Sequence, residues 1–302
     1  MTKLLLTGAT GFIGRQVLKL LQVSNWEVIA LSGSRSDNGY VQADLLNPES
    51  LRNLMEQVRP EYLLHLAWNV DDGYMESPNN LEWLIGSLEL LKSFVRYGGK
   101  RAVFAGTCAE YDWSYGYLSE TTPLKPESLY GVAKNSLYNM ASAYAQKTGI
   151  LFSWGRVFFL YGEGEKEKRF IPSVIRSFLR QETPSVLNPH LLRDYMHVQD
   201  AASALVELLK SDLVGPINIA SGKAVYLSQL VEYIANIAGE QVPLWDDILP
   251  SRKDYPLVVG DVNRLTEELA FKPTISLREG LSMTIDWIAS NTPSNLCQHI
   301  IK

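Results

Sequence analysis

The feature that most constrains this chain is a group of three glycines placed directly after its first apolar run. Gly8, Gly11 and Gly14 stand between the run at residues 4–6 and the first stretch of helical character. Glycines at this spacing allow a tight turn and close backbone approach to a pyrophosphate, which unpaired N–H groups at the helix start can bind. The motif predicts a dinucleotide site, with a ligand-free glycine turn as the alternative. The residues assigned to this site are Gly8, Thr10, Gly11, Phe12, Ile13 and Gly14.

Apolar runs and helical stretches alternate along the first half of the chain. The runs lie at residues 4–6, 28–31, 62–66, 102–105 and 151–159, and the helical stretches at 12–23, 48–58, 81–97 and 128–146. Such alternation predicts βαβ units, and strands covered by helices on both faces are continuously apolar. We therefore expect an α/β fold with a Rossmann-type doubly wound parallel sheet over residues 1–162.

The composition of the sequence and the spacing of its predicted helices change after Gly162. A mixed-charge segment follows, with scattered prolines and with helices separated by irregular stretches. We predict a smaller α/β substrate-binding domain over residues 163–302. A helix candidate and an apolar segment near 199–220 indicate that the chain returns to the first domain there, so that the boundary is not a single cut.

Composition and charge exclude several functional classes. The 302 residues carry 28 Lys and Arg against 33 Asp and Glu, a formal charge of −5, which argues against a broad surface for nucleic acid or anionic membrane. Cys108 and Cys297 are far apart with no CxxC or histidine cluster, so we expect no disulfide framework, no metal site and a reducing, cytoplasmic location. We also expect no signal peptide, and no membrane span because no apolar run approaches about 20 residues.

The end of the predicted second strand indicates which dinucleotide is bound. An NAD site usually has Asp or Glu there, to accept hydrogen bonds from the ribose 2′-hydroxyl. This chain has Leu31-Ser32-Gly33-Ser34-Arg35 instead. Hydroxyls and a guanidinium suit a 2′-phosphate, so Ser32, Ser34 and Arg35 favour NADP(H), with NAD(H) possible. For Arg35, the alternative is a solvated loop residue.

A tyrosine and a lysine four residues apart provide candidate proton chemistry. Tyr130 and Lys134 lie early in the helical stretch at 128–146, and their spacing puts both side chains on one helical face. A nearby cation lowers the pKa of a tyrosine, so we expect Tyr130 to donate a proton to a carbonyl oxygen as hydride reaches its carbon. Such a pair alone is common on protein surfaces, but after a glycine turn it predicts an active site.

Seven segments carry a family resemblance: GATGFIG, QADLLN, HLAW, AGTCAEY, YGVAK, RDYMHVQD and RLTEELAFKP. Together with Arg252 they resemble the extended short-chain dehydrogenase/reductase family, in its branch of nucleotide-sugar epimerases, dehydratases and reductases. The resemblance runs from about residue 2 to residue 273. It implies a Rossmann domain capped by a substrate domain, an NAD(P) cofactor, and a catalytic Ser or Thr, Tyr and Lys.

The resemblance assigns roles to residues by their places in these motifs. Thr107 matches the catalytic hydroxyl, Tyr130 the acid and base, and Lys134 its partner, which also binds the nicotinamide ribose. A hydroxyl at a strand end can hydrogen-bond the reacting carbonyl oxygen together with the tyrosine. The adenine contacts and the residues that line the cofactor after the fourth strand are, by the same comparison, Asp44, Leu45, Leu66, Ala67 and Trp68.

Three arginines are implied to hold an anionic substrate on this acidic protein. Arg193 and Arg252 match arginines that clamp the nucleotide diphosphate. For Arg193 the alternative is a structural ion pair with Asp194, and for Arg252 it is loop solvation. Arg169 stands where some relatives have a histidine and could reach the substrate phosphate, with a mixed-charge lid as the alternative.

Departures from the family pattern narrow the chemistry. Dehydratases follow the catalytic Thr with Asp-Glu, whereas this chain has Cys108 and Ala109, so the proton donor of a 4,6-dehydratase is missing. Glu110 lies one place too far along and is interpreted as a packing or surface residue. We interpret Cys108 as a small buried apolar residue and His65 as a core histidine. The asparagine that often precedes the Tyr-Gly of the sixth-strand turn is also absent, which shifts diphosphate binding to the arginines.

The helical stretch at 81–97 is apolar on more than one face. One stripe against a sheet cannot bury such a helix, so a second contact is needed. We predict a homodimer formed through the stretches 81–97 and 128–146, with a helix enclosed within one subunit as the alternative.

Together these features predict an NADP(H)-dependent reductase of a nucleotide-diphosphate 4-keto (deoxy)hexose. Hydride reaches the ketone while Tyr130, assisted by Thr107 and Lys134, protonates its oxygen. One alternative is a C4 epimerase that retains NAD, against which the segment 32–35 counts. Another is a redox-sensing regulator that binds dinucleotide without turnover, and such a protein has no need of all three residues.

Overall fold

Two sheets organise the protein, whose computed structural model describes residues 2–22, 25–33, 39–243 and 254–292. In chain order, the strands of these residues are β1 (Thr2–Thr7), β2 (Trp26–Ser32), β3 (Tyr40–Gln42), β4 (Tyr62–His65), β5 (Arg101–Thr107), β6 (Tyr117–Leu118), β7 (Leu151–Val157), β8 (Phe159–Tyr161), β9 (Leu192–His197), β10 (Gly215–Ile219), β11 (Ala224–Tyr226) and β12 (Leu257–Gly260). The α-helices are α1 (Phe12–Leu21), α2 (Pro48–Val58), α3 (Asn80–Arg96), α4 (Leu129–Thr148), α5 (Phe170–Leu179), α6 (Val198–Lys210), α7 (Leu227–Ala238) and α8 (Leu277–Ser290).

The larger sheet has seven parallel strands in the order β10-β7-β5-β4-β1-β2-β3. The chain runs outward from β1 through β2 to β3 and then crosses to β4, so the strand order reverses between β1 and β4. In doubly wound sheets a ligand binds outside the carboxyl ends of the strands at such a reversal. The predicted Rossmann-type α/β fold is confirmed, and Gly8 lies at the reversal.

Helices cover both faces of this sheet because successive residues of a strand point to opposite sides. Leu4 and Leu6 pack in the core that contains α1 and α6, whereas Leu5 packs in the core that contains α2, α3 and α4. All three leucines are fully buried, which explains why this strand is continuously apolar in sequence. Both α6 and β10 come from beyond residue 162, so the larger sheet and its helices draw on both halves of the chain.

Polar side chains and a glycine fix the ends of two helices beside the sheet. Asn47 precedes α2, and its side chain accepts two backbone N–H groups of the first turn. Ser128 accepts the N–H of Gly131 at the start of α4, and Gly149 ends that helix with a φ of 76°. Such caps pair N–H groups that a helix otherwise leaves without a partner, and glycine adopts the left-handed conformation easily. Both helices therefore begin directly after a capping side chain.

The smaller sheet is mixed. Its order is β11-β9-β12-β6, with β8 also paired to β9, and β11 is antiparallel to β9 while the other pairs are parallel. The helices α5, α7 and α8 enclose a separate core that contains Val174, Leu230 and Ile285. These elements form a smaller α/β unit beside the parallel sheet. A domain boundary at residue 162 stays a proposal, because β6 precedes that residue and β10 follows it.

Three observations on the described residues concern membranes, metals and thiols. None of their helices combines the length and apolarity that crossing a bilayer requires. Among the same residues, no cluster of three or more His, Cys, Asp or Glu is arranged to hold a metal ion. Cys108 is a free, buried thiol whose pKa is raised by burial, as expected of a small apolar residue, and Cys297 lies outside the described residues.

Gly14→Ala is expected to destabilise the glycine turn. A Cβ at residue 14 would lie 2.1 Å from the carbonyl oxygen of Gly8, a backbone atom that cannot rotate away. Overpacking of this kind costs about 1–3 kcal/mol, so the free energy of unfolding measured in urea should fall by that amount. Gly33→Ala is the matched control, because a Cβ there would meet none of the described atoms within 4 Å. Equal losses in the two variants would contradict this packing.

Candidate active site at the carboxyl edge of the parallel sheet

The glycine turn presses its backbone against the residues that follow β4. Gly8 has a φ of 69°, and a Cβ on it would lie 2.7 Å from the backbone nitrogen of Ala67. Gly11 donates its N–H to the Gly8 carbonyl at 2.9 Å and then starts α1 without a side-chain cap. The N–H groups of the first turn of α1 therefore face a cradle kept free of side-chain atoms. This geometry fits a dinucleotide pyrophosphate.

The other residues assigned to the glycine turn lie around the start of α1. Thr10 is exposed, and Phe12 and Ile13 are half-buried in the first turn of the helix. Beyond the turn, Leu66 and Trp68 are half-buried on either side of the buried Ala67. The structure thus brings these assigned residues to the carboxyl ends of β1 and β4.

The residues predicted to hold the adenosine half lie at the ends of β2 and β3. Ser32 is buried at the last position of β2, whereas Ser34 and Arg35 lie outside the described residues. Asp44 is exposed, and its carboxylate accepts the N–H two residues ahead. Leu45 is buried beside it. The structure therefore describes part of this predicted site, without the guanidinium on which the choice between NADP(H) and NAD(H) depends.

A buried hydrogen-bond chain supports the floor beneath the glycine turn. The Thr7 hydroxyl accepts the N–H groups of Leu66 and Ala67, both at 3.2 Å, and meets Nδ1 of His65 at 2.7 Å. On the other side of the ring, Nε2 of His65 meets the Ser87 hydroxyl at 2.9 Å. Burial lowers the pKa of His65 to about 3, so the ring is neutral. The prediction that His65 is a core histidine is confirmed.

The three predicted catalytic residues converge at the carboxyl end of β5. Thr107 is the last residue of that strand, and its side chain lies close enough to the hydroxyl of Tyr130 to lower the pKa of that phenol. Tyr130 is only 9% exposed in the first turn of α4. Gly131 allows this contact, because a Cβ there would lie 2.6 Å from the carbonyl oxygen of Ala109. Lys134 follows one turn later and is also buried.

The protonation of Tyr130 differs from the sequence-based expectation. Burial raises the pKa of this phenol, and Tyr74 raises it further, while Thr107 acts in the opposite direction. A lowering by the nearby lysine was expected instead. The expectation was wrong because burial of the phenol disfavours the phenolate.

Lys134 is held in place by the strand and by an aromatic ring. Its Nζ donates to the carbonyl oxygen of Ala105 at 2.9 Å and lies 3.9 Å from the ring centroid of Trp68. Burial lowers the pKa of Lys134 to about 7, and the negative charge of Glu110 opposes this effect. The lysine therefore changes its charge near neutral pH.

Aromatic rings surround Tyr130, and one of them was missed in the sequence. The ring of Trp68 lies 6.1 Å from that of Tyr130, and the ring of Tyr74 lies at 5.0 Å, both edge to face. Tyr74 belongs to a short turn after β4 that no motif marks. Its position depends on contacts with residues about a hundred places away in sequence, so periodicity could not reveal it.

A cavity of about 300 Å³ lies near the predicted catalytic residues. Two of the residues in its wall, Ala109 and Ser128, are each two places along the chain from Thr107 and Tyr130. Its lining residues are Met75, Glu76, Ala109, Tyr111, Trp113, Glu127, Ser128 and Tyr255. The sequence predicted none of these as lining residues, since they come from four separated segments.

Arg193 lies behind the wall of this cavity. Its guanidinium donates to the carbonyl oxygens of Leu192 at 2.8 Å and Tyr255 at 3.0 Å, and lies 5.9 Å from the ring of Trp113. The alternative partner, Asp194, instead accepts bonds from Ser221 and from the backbone of residues 222 and 260. Arg252, the other predicted clamp, lies outside the described residues.

Arg169 lies at a second, smaller cavity of about 170 Å³. Its guanidinium carbon is 5.2 Å from the ring centroid of Tyr74. Next to it, Lys166 pairs with Asp71 at 2.6 Å and Lys168 pairs with Asp72, so the loop after β8 is tied to the loop after β4. The structure therefore places Arg169 and Arg193 at different cavities.

The position of Glu110 decides between the two interpretations that the sequence left open, a packing residue or a surface residue. Glu110 is fully buried in the short turn that follows β5, so it is a packing residue. Its carboxylate accepts the N–H of Thr107 at 2.8 Å and pairs with Arg156 at 2.8 Å. Arg156 lies more than forty residues away in sequence, so no local pattern predicts its pairing with Glu110.

Comparison with known proteins agrees with this geometry. A dTDP-6-deoxy-L-talose 4-dehydrogenase (NAD(+)) of Aggregatibacter actinomycetemcomitans is 30% identical over 246 residues, which cover 76% of this chain and 88% of that protein. A GDP-6-deoxy-D-mannose reductase of Pseudomonas aeruginosa is 26% identical, with 94% of this chain and 97% of that protein covered. The crystal structure of a UDP-glucose 4-epimerase with UDP-glucose from Thermotoga maritima has the same fold, with a TM-score of 0.86 at 24% identity over 96% of this chain and 99% of that one.

The family resemblance of the motifs is also confirmed directly. The NAD dependent epimerase/dehydratase family matches residues 4–220, which include the glycine turn, Thr107, Tyr130 and Lys134. The chain therefore belongs to the NAD dependent epimerase/dehydratase family, as an NAD(P)-dependent enzyme of its nucleotide-sugar oxidoreductases and epimerases.

Proposed function

We propose that this protein is an NADP(H)-dependent reductase of a nucleotide-diphosphate 4-keto (deoxy)hexose. The observation that carries the proposal is the convergence of Thr107, Tyr130 and Lys134 at the carboxyl end of β5, near a cavity of about 300 Å³ that Ala109 and Ser128 line. Two hydroxyls in this arrangement can bind one carbonyl oxygen. The names of two relatives, a 4-dehydrogenase and a reductase of 6-deoxyhexose nucleotides, support the same substrate class.

The protonation of Tyr130 supports reduction. Its pKa is raised by burial, so the phenol keeps its proton at neutral pH. A ketone that accepts hydride needs a proton on its oxygen, and general acid catalysis by a positioned side chain is worth about 10²–10⁴-fold in rate. Thr107 orients the carbonyl oxygen toward Tyr130, and the secondary alcohol forms when the proton arrives.

The glycine turn and Lys134 would hold the cofactor for this reaction. The cradle at Gly8 and Gly14 suits a pyrophosphate, and the exposed Asp44 would contact the adenine. Lys134, whose ammonium lies 3.9 Å from the ring centroid of Trp68, would bind the nicotinamide ribose. When bound, a reduced nicotinamide dinucleotide supplies the hydride and is oxidised.

The choice between NADP(H) and NAD(H) rests on the segment after β2. Ser32, Ser34 and Arg35 include no carboxylate for a ribose 2′-hydroxyl, and this absence favours the 2′-phosphate of NADP(H). A C4 epimerase with retained NAD is the second candidate, because an epimerase from Thermotoga maritima shares the fold. The retention of Thr107 with Tyr130 argues against a regulator without turnover.

The substrate is proposed to enter the cavity beside Tyr130. Its ring would pack on Trp113 and Tyr255, and Arg193 behind this wall would add positive charge for the diphosphate. Arg169 would act from the neighbouring cavity, and Arg252 would complete the clamp. This assignment gives an acidic protein a local cationic site for a dianion.

A homodimer through α3 and α4 is part of the proposal. The two helices pack against each other and leave Leu81, Ile85, Val132 and Met140 between 43% and 59% exposed. A second copy of the chain would cover these side chains with the same helices. Contiguous exposed apolar surface of this kind is typical of interaction sites.

Tyr130→Phe is expected to reduce turnover by about 10²–10⁴-fold, because it removes the proton donor. Dinucleotide affinity should change little. The measurement is oxidation of NADPH with a nucleotide-diphosphate 4-keto-6-deoxyhexose under saturating conditions. Tyr144→Phe on the same helix is the control and should keep full activity. Unchanged turnover in Tyr130→Phe would remove this residue from the mechanism.

Arg35→Ala should weaken binding of NADPH by about 10- to 100-fold, the value of one hydrogen bond to a charged group. Binding of NADH should be nearly unaffected, because it lacks the 2′-phosphate. Fluorescence titration with each dinucleotide measures the two dissociation constants, and equal losses of affinity would overturn the cofactor assignment.

The alternative function, a C4 epimerase, is tested by denaturing the purified enzyme and identifying any dinucleotide that it releases. For an epimerase, NAD is expected in a stoichiometric amount.

Replacing both Val132 and Met140 by Asp should convert the protein to a monomer, because charges cannot be buried in an apolar contact without a partner. Light scattering after gel filtration measures the mass. Leu187→Asp is the control, since Leu187 is 82% exposed elsewhere on the surface. A wild-type mass of one chain, or an unchanged mass in the double variant, would exclude this interface.

A further inference from the structure

A buried carboxylate lies directly behind the catalytic threonine and is not accounted for by any motif of the reaction. Oε1 of Glu110 accepts the N–H of Thr107 at 2.8 Å, and Oε2 accepts Nε of Arg156 at 2.8 Å. Both oxygens also accept the indole N–H of Trp154, at 2.9 and 3.0 Å. Glu110, Trp154 and Arg156 are each at most 1% exposed.

The bonding pattern identifies the protonation state of Glu110. Backbone, indole and guanidinium N–H groups converge on its two oxygens, and all of them donate. A protonated carboxyl would have to point a hydrogen at one of these donors. Burial raises the pKa of Glu110, but Arg156 and the converging N–H groups favour the carboxylate, so Glu110 is ionised.

The same carboxylate fixes the backbone of Thr107. Thr107 and Glu110 form a reciprocal capping box, in which the threonine hydroxyl accepts the N–H of Ala109 at 3.2 Å while Glu110 accepts the N–H of Thr107. The side chains of Trp154 and Glu110 pack closely against Gly106. A Cβ on Gly106 would lie 2.0 Å from the indole nitrogen of Trp154 and 2.7 Å from Oε1 of Glu110. The orientation of the Thr107 hydroxyl toward Tyr130 therefore depends on where this carboxylate sits.

Glu110 is also the charged group that bears on Lys134. Around this lysine, His65 on β4 is neutral, Tyr130 on the same helix keeps its proton, and the bonded partner is the carbonyl of Ala105. Glu110, in the turn after β5, favours the ammonium against burial. Glu110 itself is faced by the cation of Arg156 and by the uncharged groups of Tyr111 and Cys108.

We propose that Glu110 is a positioning residue for the catalytic residues: it holds Thr107 in the orientation that binds the carbonyl oxygen, and its negative charge acts on Lys134. The role rests on the proposed reductase function, in which both residues act. Glu110 is fully buried and lines neither of the two cavities described above. It acts through two neighbours, one by a hydrogen bond and one by its charge.

Glu110→Gln tests the positioning of Thr107. The amide turns an NH₂ group toward N–H donors, so the network cannot keep its geometry. Misplacement of a catalytic group by about 1 Å can cost about 10²-fold, and we expect kcat to fall by that factor with a much smaller change in KM. Glu120→Gln is the matched control: its carboxylate is half-buried and accepts the N–H of Asn218 at 2.8 Å, away from Thr107. This variant should keep kcat within about two-fold.

The dependence on pH tests the effect on Lys134 and does not require turnover. As pH rises through the pKa of Lys134, near 7, the ammonium is lost and dinucleotide affinity should weaken. Without the charge of Glu110 this loss should occur at lower pH in Glu110→Gln than in the wild type. Tryptophan fluorescence titration with NADPH between pH 5 and 9 measures the affinity of wild type, Glu110→Gln and Glu120→Gln. A purely structural role would leave the midpoint unmoved.

Glu110→Asp separates geometry from charge and covers the case in which Glu110→Gln does not fold. The shorter side chain keeps the charge but loses its reach to Thr107, so kcat should fall while the pH midpoint stays at the wild-type value. Wild-type kcat in Glu110→Asp, or superimposable pH curves for wild type and Glu110→Gln, would overturn the proposal. If Tyr130→Phe and wild type are equally inactive, the proposed function fails, but the affinity curves still decide whether Glu110 controls Lys134.

Discussion

The close contact between the glycine turn and the backbone after β4 is the constraint on which the rest of the site depends. A side chain at Gly8 or Gly14 would overlap backbone atoms at 2.7 and 2.1 Å. The contact sets the start of α1 against the reversal of the sheet, and the Thr7 hydroxyl bonds the N–H groups of the same segment from below. Trp68, one residue further, then covers Lys134. The cofactor cradle and the proton-transfer residues are in this way parts of one backbone arrangement.

Burial determines the protonation states of the two predicted proton-transfer residues, Tyr130 and Lys134. Tyr130 and Lys134 are both removed from water, which favours the neutral form of each. The phenol therefore keeps its proton, and the lysine stays charged to an extent that depends on Glu110. Reduction of a ketone requires a proton donor and not a phenolate. The apolar surroundings of Tyr130 keep its proton on the phenol and therefore suit the proposed reaction, although the sequence predicted a lowered pKa.

The sequence predicted the parallel sheet well because its signals are local. The helix predicted at 48–58 begins and ends where α2 does, and the runs at 62–66 and 102–105 became β4 and β5. The apolar run at 151–159 was predicted as one strand but is two, because the chain leaves the larger sheet after Val157 and β8 pairs with β9. That change of partner depends on a segment 36 residues further along the chain, which the periodicity of the sequence does not reveal.

The candidate catalytic residues could be proposed from motifs, whereas their surroundings could not. Thr107, Tyr130 and Lys134 occupy fixed places near a strand end and a helix start, so spacing and resemblance suffice. Tyr74, Tyr255 and Arg156 reach the site through loops and distant strands. Their roles follow only from the folded chain.

Transfer of label from the dinucleotide to the sugar tests the central claim most directly. NADPH carrying deuterium at both C4 positions of the nicotinamide ring would be incubated with the enzyme and a nucleotide-diphosphate 4-keto-6-deoxyhexose, and the product analysed by mass spectrometry. The account predicts one deuterium on the sugar carbon for each NADPH oxidised. A converted sugar without deuterium, or NADPH that is never consumed, would contradict it.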